Sequence, residues 1–261
     1  MLHNITLSLV PEIITDNILI KAKEIAQFLN IPLSDRREEY PQALIWDRDG
    51  LSLCSISAKD GSHAKLLYID FMGGKNGYRH ANDCTTRQPI AKAVGIKPGF
   101  RPTVFDATAG MGGDGFVLAC LGCRVTLCER SPIMYTLLQD GIERARQDSV
   151  MNKIMANLDL IHNNSKQFLE NHGTNYHTIY MDPMYPHKKK SALNKKEMRV
   201  IRDLVGDDND SDNLLETALT VAGNRVVVKR PKGAPYIEER KPHHEITMKN
   251  SRFDVYLTSY L

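Results

Sequence analysis

Apolar and polar positions change their spacing near Thr85, and this change predicts two structural units. In the first unit Ile5–Val10 alternates apolar and polar residues, as a half-buried strand does, whereas Asn17–Asn30 has apolar residues at helical spacing. The sequence Asp-Arg-Asp-Gly at Asp47–Gly50 is typical of a hairpin turn. The predicted strands of this unit are Ile5–Val10, Ala43–Trp46, Leu51–Ile56 and Lys65–Phe71. We therefore expect residues 1–75 to form a small α+β domain.

From Thr85 onward, short apolar runs alternate with segments of helical spacing, which indicates strands and helices in turn. The predicted strands are a first one beginning at Val104, then Arg124–Glu129, Leu158–His162, His177–Met181, Arg225–Lys229, Glu245–Met248 and Phe253–Leu257. The predicted helices are Thr85–Val94, a short one ending at Gly122, one from Pro132 past Arg146, and Asp212–Ala222. A tight polar turn joins the last two strands, which should pair antiparallel. This alternation predicts an α/β domain over residues 76–261, a Rossmann-like seven-stranded sheet with an antiparallel last strand.

Composition and charge narrow the function only slightly. The 261 residues are 42% hydrophobic and 25% charged, as in an ordinary globular protein, and the net charge of +3 does not by itself indicate nucleic acid. No apolar stretch approaches the roughly 18 residues of a membrane span, and no secretory signal is evident, so we expect a cytoplasmic protein without a membrane partner. The five cysteines suit reduced thiols, and the Cys120-Leu-Gly-Cys123 pair lacks a second pair of ligands, so no metal is expected.

A glycine-rich turn follows the first strand of the second unit and predicts a cofactor site. Asp106 ends the strand, and Gly110, Gly112 and the next glycines allow the backbone to approach a ligand closely. The carboxylates of Asp106 and Asp114 would repel the diphosphate of a dinucleotide, which argues against a nicotinamide oxidoreductase. They suit the ammonium and sulfonium groups of S-adenosyl-L-methionine (SAM). The predicted contacts in this turn are Asp106, Gly110, Gly112, Gly113 and Asp114.

Acidic and polar residues after the next two strands support the same cofactor. Glu129 ends the second strand, where a carboxylate can accept both ribose hydroxyls, and Arg130 beside it could flank the adenine. Asn164 and Ser165 follow the third strand and could bind the edge of the adenine. Capping of the following helix explains these two residues equally well.

A second turn, Asp182-Pro183-Met184-Tyr185, follows the fourth strand and predicts the target site. The Asp182 carboxylate and the Pro183 carbonyl can both accept hydrogen bonds from an exocyclic amine, which directs the nitrogen lone pair at a methyl group. Such alignment can remove roughly 7–11 kcal/mol from a barrier. Tyr185 offers a face for base stacking, worth about 1–3 kcal/mol. Asp182, Pro183 and Tyr185 are therefore the predicted catalytic residues, and an ordinary proline turn is the alternative.

Basic residues follow this turn and leave the neighbouring fifth strand. They are His187, Lys188, Lys189, Lys190, Lys195, Lys196, Arg199, Lys229 and Arg230. A run of charge is usually a solvated face, but clusters that converge on one rim are better explained by phosphate contacts. We therefore predict a splayed base in RNA as the target.

The chain resembles the ribosomal RNA small subunit methyltransferase J family of class I SAM-dependent methyltransferases. The motifs that carry the resemblance are Asp106-Ala-Thr-Ala-Gly-Met-Gly112, Cys128-Glu-Arg130, Asp182-Pro-Met-Tyr-Pro-His-Lys188, Lys190-Ser-Ala-Leu193, Lys195-Lys-Glu-Met-Arg199, Leu204-Val-Gly206 and Val226-Val-Val-Lys-Arg-Pro231. The resemblance implies SAM-dependent methylation of the exocyclic N2 of a guanosine, position 1516, in 16S rRNA or the small ribosomal subunit. The cofactor contacts that it implies are Gly113, Asp114, Glu129, Arg130, Asn164, Ser165 and Asp182. Gly113 stands where the family leads us to expect arginine, so only a backbone contact is expected there.

Two other functions stay open at this point. The Asp-Pro-Met-Tyr turn would serve any amino group, so adenine N6 or cytosine N4 in nucleic acid is an alternative target. A non-catalytic RNA-binding protein with the same fold is the other alternative, which the acidic residues of the predicted site disfavour.

Overall fold

Two sheets organise the chain in the computed structural model, which describes residues 4–73, 85–172, 175–183 and 211–258. A four-stranded sheet belongs to the first predicted unit and a seven-stranded sheet to the second. The predicted domain boundary between residues 75 and 76 lies outside the described residues.

The first sheet has the order β1-β2-β3-β4, with β1 parallel to β2 and the other neighbours antiparallel. Its strands are β1 (Ile5–Leu9), β2 (Gln42–Asp47), β3 (Gly50–Ile56) and β4 (His63–Tyr68). The predicted hairpin is confirmed, since Asp47 pairs with Gly50 across the turn. Helix α1 (Asp16–Leu29) connects β1 to β2 and buries Ala22, Ala26 and Leu29, as its apolar spacing predicts.

The second sheet has the order β10-β11-β9-β8-β5-β6-β7. Its strands are β5 (Val104–Asp106), β6 (Val125–Glu129), β7 (Leu158–His162), β8 (Thr178–Met181), β9 (Arg225–Pro231), β10 (His244–Thr247) and β11 (Ser251–Leu257). Strands β9, β8, β5, β6 and β7 are parallel to one another, whereas β11 is antiparallel to both β9 and β10. This is the predicted class I methyltransferase architecture. The chain runs outward from β5 in one direction and then from β8 in the other, so these two strands form the switch point at which α/β sheets bind ligands.

Four of the helices described beside the second sheet lie where the spacing predicts them, with small shifts at their ends. The helices beside this sheet are α2 (Pro89–Val94), α3 (Gly113–Cys120), α4 (Pro132–Arg146), α5 (Met151–Met155), α6 (Ser165–His172) and α7 (Ser211–Val221). The predicted start of α4 is confirmed, because Ser131 Oγ accepts a hydrogen bond from the Met134 N–H at 3.5 Å and Pro132 is the first helical residue. Helix α2 is shorter than predicted and begins at Pro89, since the fixed backbone of proline suits the first turn. No helix in the described part of the chain is long and apolar enough to cross a membrane.

The four-stranded sheet packs on helix α4, and one apolar core runs through both. The Leu51 N–H donates to Asp140 Oδ2 at 3.0 Å, and the Arg144 guanidinium donates to the Ile69 carbonyl. Gly141 lies between these two polar residues and is tight against Ile69, so a Cβ there would be 3.0 Å from the Ile69 carbonyl oxygen. The first unit is thus held against the helix that follows Glu129.

Candidate active site

The predicted cofactor turn and the predicted target turn lie side by side. Their strands, β5 and β8, are parallel neighbours, and the Ala107 N–H donates to the Tyr180 carbonyl at 2.9 Å just beyond the paired residues. The Asp182 N–H donates to Thr108 Oγ1 at 2.6 Å, which joins the two turns directly. Both turns therefore lie at the same edge of the sheet.

The glycines of the first turn bring helix α3 close to the sheet. Gly110 and Gly112 have φ values of 53° and 72°, in the left-handed region that favours glycine. The Gly112 N–H donates to the Ala109 carbonyl at 2.8 Å and closes the turn, and Gly113 is the first residue of the helix. At Gly115 a Cβ would be 2.3 Å from the buried side chain of Leu127, so the helix approaches β6 too closely for any side chain.

Lys229 bridges the two carboxylates that the sequence assigns to the two turns. Its ammonium lies 2.7 Å from Asp114 Oδ2 and 2.8 Å from Asp182 Oδ2. The Tyr180 hydroxyl donates to the same Asp114 oxygen at 2.7 Å. The Lys229 side chain turns toward the two carboxylates, because they offer charge-assisted hydrogen bonds, and its predicted contact with RNA stays a prediction.

Burial and mutual charge govern the titration of this cluster. Burial raises the pKa of Asp106 to about 7. The hydrogen bond from the Thr108 N–H acts to lower this pKa, and the charges of Asp114 and Asp182 act to raise it. Burial also raises the pKa of Tyr180, and the nearby carboxylates add to that rise. For Lys229 burial acts in the opposite sense, but Asp182 and Asp114 outweigh it and raise the pKa of its ammonium. Lys229 therefore stays protonated at neutral pH, whereas Asp106 titrates close to neutral pH.

Glu129 holds the backbone at the edge of the predicted ribose site. Its Oε2 accepts from the Gly110 N–H at 3.0 Å and its Oε1 from the Ser131 N–H at 2.7 Å. Only 4% of the residue is exposed, and this burial raises the pKa of its carboxyl. Each carboxylate oxygen has a second lone pair, so ribose hydroxyls remain possible partners. Glu129 thus ties the glycine-rich turn to the start of α4, and its contact with the ribose stays a prediction.

The three residues predicted to contact adenine follow β6 and β7, and Ser165 is the first residue of α6. The Arg130 carbonyl lies 3.1 Å from His162 Nε2. Asn164 Oδ1 accepts from the Gln167 N–H at 3.2 Å, which is the helix cap that the sequence left open as an alternative. Ser165 Oγ donates to the Ala107 carbonyl at 2.7 Å and links this loop to the glycine-rich turn. Their contacts with a cofactor stay predictions.

Several predicted residues are placed elsewhere or are not described. Pro183 is buried beside Asp182. Arg230 is 5% exposed and donates to the Pro235 carbonyl at 2.6 Å, so its predicted place on a basic rim is wrong. Alternation along β9 sends it to the face opposite Lys229, beneath the segment that follows the strand. The predicted residues that lie outside the described part are Tyr185, His187, Lys188, Lys189, Lys190, Lys195, Lys196 and Arg199.

Three residues make contacts within the site that the sequence analysis did not predict. Thr108 joins the turns, Tyr180 binds Asp114, and Lys229 neutralises two carboxylates. A signal was present for Lys229, because a lysine that ends an apolar parallel strand reaches the same edge as Asp106 and Asp182. For Thr108 and Tyr180 no comparable signal exists.

The carboxylates of this site fit the methionine head group of SAM. Asp114 already accepts a primary ammonium, that of Lys229, at hydrogen-bond distance, so the site accommodates this group. Asp106 and Asp182 add negative charge next to it. Next to these carboxylates lie the glycine-rich turn, the N-terminus of α3 and the buried Glu129. A cationic amino acid with an adenosine attached matches this distribution of charge.

Comparison with known proteins gives the same picture for nearly the whole chain. The family model described as "Putative SAM-dependent methyltransferase" matches residues 25–258. A protein of Thioalkalivibrio sulfidiphilus named ribosomal RNA small subunit methyltransferase J is 49% identical over 240 residues, 91% of this chain and 93% of that protein. A Pseudomonas aeruginosa protein of the same name (strain LESB58) is 46% identical over 237 residues, 90% of this chain and 89% of that protein. The crystal structure of a SAM-dependent methyltransferase from Neisseria gonorrhoeae is 30% identical, with a TM-score of 0.73 over 98% of this chain and 97% of that chain.

Proposed function

The chain belongs to the ribosomal RNA small subunit methyltransferase J family, and from that premise we propose that it methylates the exocyclic N2 of a guanosine in 16S rRNA. It is a SAM-dependent methyltransferase. The hydrogen bond between the Asp182 N–H and Thr108 Oγ1 is the observation that carries the proposal. It supports the proposal because it joins the residue whose carboxylate suits an amine to the turn that suits the methyl donor.

The residues that would hold the cofactor are those of the first turn and its neighbours. Asp106 and Asp114 provide charge for an ammonium, and Glu129 offers lone pairs to ribose hydroxyls. Arg130, Asn164 and Ser165 border the place for adenine. When bound, the cofactor supplies an electrophilic methyl group on a sulfonium.

Asp182 would act on the amine that receives the methyl group. The lone pair of a guanine N2 is delocalised into the ring, so the nitrogen is a weak nucleophile until it is aligned. Hydrogen bonds from its two hydrogens to the Asp182 carboxylate and the Pro183 carbonyl would direct the lone pair at the methyl carbon. The nitrogen that receives the methyl group must lose one proton, which the Asp182 carboxylate would accept. Tyr185 would stack on the base.

The basic segment from His187 to Arg199 would bind the RNA backbone. Its seven predicted contacts include six lysines and arginines, which suits a polyanion. The target nucleotide proposed from the family resemblance is guanosine 1516, in 16S rRNA or the assembled small subunit.

Product analysis tests the proposal. Purified protein is incubated with methyl-labelled SAM and with unmodified 16S rRNA, either free or in small subunits, and the RNA is digested to nucleosides. We expect the label in N2-methylguanosine, and mass spectrometry of nuclease fragments should place it at position 1516. Label in N6-methyladenosine or N4-methylcytidine would overturn the assignment of the base, and no transfer to any RNA would favour a binding protein without activity.

A further inference from the structure

Lys229 connects the two halves of the candidate site through one ammonium group. Asp114 belongs to the first turn of α3, on the cofactor side, whereas Asp182 follows β8, on the target side. The ammonium lies within 2.8 Å of an oxygen of each. A lysine ammonium has three hydrogens, and two of them are directed at these carboxylates.

The surroundings of Lys229 are those of a site residue rather than of a phosphate-binding surface lysine. Its side chain is 28% exposed and extends from β9, after three valines that are fully buried. Lys232, three residues further on, is exposed. The two lysines carry the same charge on one segment, but only Lys229 is directed at the carboxylates.

We propose that Lys229 is a positioning residue for methyl transfer, which holds the Asp182 carboxylate ionised and oriented toward the amine and couples it to the cofactor carboxylate Asp114. The proposal rests on the proposed function for the role of Asp182. It replaces the RNA contact that the sequence predicted for Lys229.

Charge balance in the cluster explains why this lysine is needed. The titratable groups that face Asp182 in the described part are Asp106 on β5, Asp114 on α3, Tyr180 on β8 and Lys229 on β9. Lys229 is the cation among them, against three carboxylates. Without it, each carboxylate would raise the pKa of the others, and Asp182 would hold a proton to higher pH. A protonated Asp182 can no longer accept both a hydrogen bond from the amine and its proton.

The same charge balance affects discrimination between SAM and its demethylated product, S-adenosylhomocysteine. The two ligands differ in the sulfonium charge, which the product lacks. Lys229 partly cancels the negative field of the cluster, so its removal should favour the more cationic ligand. This consequence can be measured without RNA and does not depend on which base is methylated.

Lys229→Met tests the proposal, with Lys232→Met as the matched control that removes one positive charge from the same segment. The initial rate is measured from pH 6 to 9 with methyl-labelled SAM and 16S rRNA. We expect Lys229→Met to lower kcat at pH 7 by about 10- to 100-fold, with the acid limb of the profile moved to higher pH. KM for RNA should change no more than in Lys232→Met. Lys229→Arg, which keeps the charge, should return the acid limb toward its original position.

Calorimetric titration provides a readout without turnover. At pH 8.5, Lys229→Met should raise the affinity for SAM relative to S-adenosylhomocysteine by about threefold or more, while Lys232→Met leaves the ratio unchanged. A raised KM for RNA with unchanged kcat, pH profile and ligand ratio would overturn the proposal and restore the RNA contact. If Lys229→Met does not fold, Lys229→Gln carries the same expectations. If the product analysis finds the methyl group on another base, only the proposed function is refuted. The ratio of the affinities for SAM and S-adenosylhomocysteine is measured without RNA and still tests the role of Lys229.

Discussion

Thr108 Oγ1 accepts the Asp182 N–H at 2.6 Å, so a side chain of the cofactor turn fixes the backbone of the target turn. The Thr108 N–H in turn donates to Asp106 Oδ1 at 3.1 Å, which links the three residues in series. Because methyl transfer requires two groups to be aligned within a fraction of an ångström, this bond is expected to affect the rate more than the affinity.

Thr108→Val removes the acceptor but keeps the shape of the side chain. We expect kcat to fall by about tenfold or more, because the Asp182 backbone loses its anchor, while the Kd for SAM changes by less than about threefold. Steady-state kinetics and calorimetry measure the two quantities. Thr108→Ser keeps the hydroxyl and is the control, which should remain close to the original rate. Equal losses in both variants would show that the methyl group of threonine, not its oxygen, is what matters.

Asp182→Ala should abolish most turnover and leave RNA binding nearly intact. We expect kcat to fall by about a thousandfold, because the amine loses its acceptor, whereas Asp182→Asn keeps one carbonyl oxygen and should be milder. RNA affinity, measured by filter binding, should stay within about twofold for both. Parallel losses of RNA binding and rate in the two variants would contradict the positioning role.

Asp106→Asn should stabilise the protein at alkaline pH. Burial raises the pKa of Asp106 to about 7 from an ordinary value of 3.8, so the folded state retains a proton that the unfolded state releases between these values. The favourable contribution of this proton is complete below the lower value and is lost as the pH rises through the higher one. The variant should therefore exceed the original in free energy of unfolding at pH 8 by up to about 4 kcal/mol, with the difference vanishing near pH 4.

Denaturant titration of ligand-free protein at both pH values measures this difference. Asparagine keeps the oxygen that accepts the Thr108 N–H, so the turn is preserved. Asp159→Asn, at an exposed position of β7, is the control and should show no comparable gain. The same Asp106→Asn variant should bind SAM more weakly, since the proposed contact with the ammonium group needs the charge of Asp106. A constant difference across the pH range would contradict the burial argument.

Gly141→Ala should loosen the contact between the two units. Alanine is favoured over glycine inside a helix by about 1 kcal/mol, which alone would stabilise α4. A Cβ there would lie 2.9 Å from Ile69 Cγ2 and 3.0 Å from the Ile69 carbonyl oxygen, and backbone cannot move as easily as a side-chain tip. We therefore expect a net loss of about 1–3 kcal/mol in the free energy of unfolding.

Chemical denaturation measures that loss, and Gly233→Ala is its control because no atom lies within 4 Å of a Cβ at that position. The control should be nearly neutral. Greater stability in Gly141→Ala would mean that the first unit does not press against α4 in solution.

Local patterns determined the elements of this fold. The short apolar runs at β5, β6, β8 and β9 form largely buried strands of a parallel sheet, in which the strand ladder pairs their backbone groups. Ser131 and Pro132 start α4 as their types predict, and the Asp47–Gly50 turn pairs β2 with β3. The motifs after β5 and β8 could also be assigned to one edge, since parallel strands end on the same side.

Partners across the sheet were decided only by the tertiary structure. Lys229 faces Asp114 and Asp182 while Arg230 is buried on the opposite face of β9. Alternation along the strand separates the two residues, but it does not show which partners each of them meets. The contacts of Glu129 with the Gly110 and Ser131 backbone, and of Gly141 with Ile69, were likewise decided by the tertiary structure. Spacing along the chain determines which face a side chain occupies. The order of strands and the packing of helices determine what lies opposite that face, and these depend on residues far apart in the sequence.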